Sequence, residues 1–177
     1  MDAGKRVGRT LIFLLAFVWI GSFAVPGHAQ VAVGELQPLG EAGHFGAGIG
    51  GGTLTSGVTA KYYVGDRHAL QAFVGLWRFG FLSPALSLDY VQELGPLIDI
   101  EAGHLVWGIG GGVGGIFDLE GLEDIWHFGI SAVTGPVWQF NYIPVELTID
   151  VRPTLIFGEV FGGVRIGVGG ALRWYFL

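Results

Sequence analysis

A small set of charged residues defines the chemistry open to this 177-residue chain. Lys61, Arg152, Arg165 and Arg173 supply positive charge, and Asp89, Glu146 and Asp150 supply negative charge. Two carboxylates in one site can do acid–base work such as glycoside hydrolysis, provided one keeps its proton. Glu146 and Asp150 instead lie close in sequence to Arg152, and an adjacent guanidinium holds a carboxylate ionised. These residues are therefore expected to form a structural network of ion pairs. The competing use is a charged lining that selects ions in a narrow pore.

Other chemistries have weaker support. Gly46, Gly48 and Gly51 match G-x-G-x-x-G, as do Gly110, Gly112 and Gly115. Nucleotide binding needs a helix after that motif, and neither copy is followed by helical periodicity. His44, His68, His104 and His127 lack metal-ligand spacing. His127 and Ser131 share strand parity but would lie roughly 13 Å apart along a strand, too far for a nucleophile and its base. Asp118, Glu120, Glu123 and Asp124 read as a solvated loop, with divalent-cation binding as the alternative. The chain has no cysteine, so thiol catalysis and thiolate metal sites are excluded. No catalytic residue, cofactor or metal is assigned.

The elements that position these residues show a period of two. Val145, Leu147, Ile149 and Val151 alternate with Glu146, Thr148, Asp150 and Arg152. Val164, Ile166, Val168, Leu172, Trp174 and Phe176 share one parity, against Arg165, Gly167, Gly169, Ala171, Arg173 and Tyr175. Successive side chains of a strand point to opposite faces. Strands are expected at about 43–52, 56–64, 68–77, 85–91, 103–116, 126–140, 145–151 and 164–176. Gly65-Asp66-Arg67, Gly95-Pro96 and Asn141 to Pro144 supply turns. The polar parity is mostly small residues with a few charges, too thin for a water-facing surface. It suits the interior of an eight-stranded barrel, which is only just wide enough for side chains. The apolar parity then faces outward, with Tyr62, Tyr90, Trp138, Trp174 and Phe176 near strand ends as interfacial girdles.

Composition agrees with that inversion. Charged residues make up 14% of the chain and mean hydropathy is +0.56. A closed barrel lets such an apolar chain meet lipid without a helical span. At the N-terminus, Lys5, Arg6 and Arg9 precede an apolar run from Leu11 to Val25 and the small residues Gly27 and Ala29. This is the pattern of a secretory signal. Residues 1–29 are read as a signal cleaved after Ala29, and 30–177 as one barrel domain. The mature part carries six basic and fourteen acidic residues, a formal −8. Such a surface is a poor partner for nucleic acid.

The stretches GVTAKYYVGDRHALQAFVGLW, IPVELTIDVRP and GVRIGVGGALRWYFL resemble the small outer-membrane barrels of the OmpA/OmpX type. Those barrels usually end on an aromatic residue, whereas this chain ends Phe176-Leu177. The resemblance implies an all-β, eight-stranded antiparallel up-and-down transmembrane barrel in the bacterial outer membrane. Its partners would be outer-membrane lipid and, during biogenesis, the barrel-assembly machinery. The expected function is a structural or surface-interaction role with a plugged polar lumen. A narrow porin-like channel and a lipid-modifying barrel enzyme are the alternatives.

Overall fold

Alternation becomes sheet structure along the whole described chain. The computed structural model describes residues 40–53, 56–78, 81–118, 125–157 and 163–176. The expected signal segment and most of the acidic stretch 118–124 lie outside these residues. The strands are β1 (Phe45–Gly52), β2 (Ser56–Gly65), β3 (His68–Arg78), β4 (Phe81–Glu93), β5 (Ile98–Ile100), β6 (Gly103–Asp118), β7 (Ile125–Phe140), β8 (Val145–Phe157) and β9 (Gly163–Phe176). There is no helix among the described residues. All pairings are antiparallel. β1 pairs with both β2 and β9, and β4 pairs with β6, so eight long strands close into an up-and-down barrel. Closure matters because it leaves no long strand with an open edge.

The register fixes the barrel's geometry. Paired residues run from Arg173 through Gly48, Thr59, Phe73, Ser87, Gly114, Gly129 and Ile156 to Gly163. One circuit of the wall therefore returns to β9 ten residues away. A stagger of that size over eight strands tilts them by about 40° and leaves a backbone radius of about 8 Å.

Three details differ from the sequence reading. The short strand β5 pairs with β6 where β4 has ended. Three residues are too few to show a period. β4 starts at Phe81 instead of about residue 85, and the register shifts between Gly75 and Trp77 opposite it. Pro84 falls inside that irregularity. Its missing N–H is tolerated where the ladder is already broken. β8 continues past Val151 to Phe157.

The described turns gather at one end, with Gly40 and Phe176. Arg67 adopts φ 62° in the β2–β3 turn, donates its N–H to the Gly40 carbonyl and accepts from the Glu93 N–H. Asn141 donates to the carbonyls of Ile100 and Glu101, tying the β7–β8 turn to the β5–β6 hairpin. The Tyr142 hydroxyl donates to Glu101 at 2.7 Å, and this bond to a carboxylate raises the phenol above its ordinary pKa. The four connections at the opposite end each include residues outside those described.

Glycine placement makes the small bore workable. β1 and β6 are four strands apart in either direction around the wall, so they face each other. Their repeated GIGGG strings put glycine on the inward face of both. A Cβ at Gly46 would lie 2.8–2.9 Å from the Tyr175 ring, and one at Gly112 would lie 2.1 Å from Asp89 Oδ1. Missing side chains on these two walls create the room that Tyr175 and Asp89 occupy.

Gly46→Val should therefore destabilise the barrel by about 1–3 kcal/mol through overpacking. Gly115→Ala, whose Cβ would meet its neighbours at 3.5 Å or more, should change little. Urea unfolding in detergent would compare the two. Equal midpoints would contradict the inward packing of β1.

Candidate functional site

Burial is inverted relative to a water-soluble protein. Lys61, Asp89, Glu93, Gln139, Glu146 and Arg173 are buried, while Ile49, Val164 and Ile166 are 66%, 71% and 72% exposed. The polar parity faces the lumen and the apolar parity faces outward, as the strand reading required.

Glu146 is the hub of the closed end and is 0% exposed. Its Oε1 accepts from Arg173 Nη1 at 2.8 Å. Its Oε2 accepts from Lys61 Nζ at 2.8 Å and from the Tyr175 hydroxyl at 2.9 Å. Lys61 also donates to Glu93 Oε1, which accepts from the Tyr63 hydroxyl at 2.6 Å. Gln139 Nε2 donates to Glu93 Oε2 at 2.9 Å. Arg173 is completed by Thr59 Oγ1 at 3.0 and 3.1 Å and by Thr148 Oγ1 at 3.0 Å. Lys61 also lies 4.9 Å from the Tyr63 ring centroid. Two cations and two carboxylates balance, and their hydrogen-bonding groups are met. Desolvating charges costs several kcal/mol per ion, and only such pairing offsets it. Together these side chains are buried inside the bore at this end.

A second cluster lies deeper, toward the loop end. Arg152 donates through Nε to Asp150 Oδ1 and through Nη1 to Asp89 Oδ2, both at 2.7 Å. Beyond it the lumen opens into a cavity of about 140 Å³ lined by Phe73, Ser131, Arg152 and Thr154 among others.

The charged residues singled out in sequence thus fall into three groups. Lys61, Glu146 and Arg173 meet in the closed-end network, and Asp89, Asp150 and Arg152 form the second cluster. Arg165 has the lumen parity but is exposed near the loop end of β9. Tyr62, Tyr90, Trp138, Trp174 and Phe176 all face outward at the closed end. They form a girdle there, joined by Phe45, Trp107 and Phe140. Phe45 stacks on Phe176 at 6.1 Å, and Trp138 meets Phe140 edge-on at 6.2 Å. His127 and Ser131 both line the loop-end cavity. No group of three or more potential metal ligands occurs among the described residues.

Sequence reasoning missed Tyr63, Glu93, Gln139 and Tyr175. Tyr63 and Tyr175 share parity with Lys61 and Arg173, so the signal was present, but bulky aromatics look out of place in a narrow lumen. Glu93 lay beyond the expected end of its strand. Gln139 sits on an inward parity whose preceding members are the uncharged Val133, Gly135 and Val137. With this geometry in hand, comparison adds no relative: no family model, curated protein or solved structure matches the chain.

Lys61→Met should cost about 3–5 kcal/mol, because it leaves Glu93 buried without its cation and Glu146 with Arg173 alone. Lys61→Met combined with Glu93→Gln restores neutrality and should recover more than half of that loss. A double-mutant cycle on unfolding free energies measures the coupling. Additive losses would show that the two groups do not act as a pair.

Proposed function

We propose that the chain is an integral outer-membrane β-barrel with a structural or surface-interaction role and a plugged lumen. One observation carries the reading: charged side chains are buried inside a closed barrel whose outer wall is apolar. In water that wall would expose a hydrophobic area far beyond what monomeric soluble proteins tolerate. In a bilayer it meets acyl chains while the strands satisfy one another's backbone groups.

Length and girdle support the same reading. A spanning strand needs about 9–11 tilted residues. Seven of the eight barrel strands have 10 or more, and β6 and β7 have 16. The ring of Tyr62, Tyr90, Trp107, Trp138 and Trp174 suits a membrane–water interface, where aromatic residues with a polar edge are favoured. In this reading residues 1–29 direct export, and the barrel-assembly machinery inserts the mature chain. The closed end, with its short turns, faces the periplasm, and the loop end faces outward. The neutral, fully bonded network at Glu146 favours a scaffold over a conducting pore.

Two measurements test this. Outer-membrane fractions run in cold and boiled SDS should show a heat-dependent mobility shift of the mature chain. Recovery in the soluble periplasm without a shift would sink the membrane reading. Planar-bilayer recordings of the folded protein should stay at baseline, and steady conductance steps would remove the plugged lumen while leaving the membrane assignment intact.

A further inference from the structure

The loop-end cavity is a different place from the closed-end plug. Its volume, about 140 Å³, is close to that of an engineered protein cavity of about 150 Å³ that takes up benzene. Its walls are largely apolar: the Phe73 side chain and the backbone of inward glycines such as Gly114, Gly129 and Gly169. The glycines keep the space open. A Cβ at Gly129 would lie 2.8 Å from Thr154 Cγ2, and one at Gly169 would lie 3.2 Å from Asp150 Oδ1.

The floor supplies a directed polar contact. Arg152 lines the cavity with its side chain 18% exposed. Asp89 takes its Nη1 and Asp150 its Nε, so the other terminal nitrogen, Nη2, is engaged by neither carboxylate. Higher on the wall, His127 lines the same cavity and its buried Nδ1 has no hydrogen-bond partner among the described residues. A buried polar atom without a partner is uncommon in native proteins and calls for an explanation, an unseen ligand among them.

The geometry points to a binding site for a small uncharged molecule with an apolar body and one hydroxyl or carbonyl head, of the size and polarity of a phenol. The body packs against Phe73 and the glycine walls. The head accepts from Arg152 Nη2. The charge balance selects a neutral head. Arg173 also lines the cavity but is neutralised by Glu146, and Asp150 on the wall with Asp89 behind it outweighs Arg152, so an added carboxylate would meet net negative charge, while a neutral acceptor still gains the guanidinium's donors. A purely apolar ligand would leave those donors dry and unpaired, which is costly. The inference needs the barrel and not its location, so it stands or falls separately from the membrane reading.

Fluorine NMR of 4-fluorophenol, fluorobenzene and 4-fluorobenzoate with the full folded barrel in detergent micelles tests it. Saturable binding of 4-fluorophenol is expected, about tenfold tighter than fluorobenzene, with 4-fluorobenzoate weakest. Ser131→Phe, which projects a ring into the cavity, should weaken 4-fluorophenol binding at least tenfold while the barrel keeps its resistance to cold SDS. If that variant does not fold, nuclear Overhauser contacts from the probe to the Phe73 ring and the Thr154 methyl in the unmodified protein decide the matter. Contacts to detergent alone overturn the site. Equal, non-saturating uptake by the unmodified protein and a folded Ser131→Phe overturns it as well. Preferential binding of 4-fluorobenzoate overturns the neutral class.

Discussion

The width of an eight-stranded barrel governs everything else in this molecule. A bore of about 8 Å in backbone radius holds side chains and little more. Any large inward group must therefore be matched by a small one on a nearby or opposite wall. Here β1 and β6 face each other and present glycine inward, so β2, β4, β8 and β9 can project Lys61, Tyr63, Asp89, Glu93, Glu146, Arg152, Arg173 and Tyr175 into the space between. Glycine weakens a strand by its conformational entropy. The loss is tolerable in strands hydrogen-bonded on both edges within a closed sheet.

Charges admitted to that narrow space must satisfy one another, and the arrangement at Glu146 shows how. One carboxylate receives a lysine, an arginine and a tyrosine hydroxyl, and the lysine is shared with a second carboxylate. The donors come from β2 and β9 and the second carboxylate from β4, so the network crosses the bore and ties distant strands together. Such a cluster fixes how the strands face one another more than it adds net stability, because desolvation cancels much of the Coulomb gain. The Arg152 cluster is not balanced, with two carboxylates to one cation. It forms the floor of an open cavity, whereas the Glu146 network is buried.

The comparison between sequence and structure turns on particular residues. Alternation in 145–151 and 164–176 was sufficient to place Glu146, Asp150, Arg152 and Arg173 on one face, because strand periodicity is a local property of the chain. Strand number followed from the same pattern. The bulge at Pro84 and the short strand β5 were illegible, since each depends on what the neighbouring strand does. The common height of the aromatics was illegible for a related reason. Position within a strand does not give height in the barrel until the stagger between strands is known.

By itself, then, the sequence determined the class of fold and the inversion of its faces. Both follow from a period of two combined with a polar parity too sparse for water. Tertiary structure alone decided which inward charges meet. Lys61 reaches Glu146 across 85 residues, and Arg152 reaches Asp89 across 63. Those encounters are set by the ten-residue stagger and by the facing glycines of β1 and β6, which are properties of the closed barrel and not of any one strand.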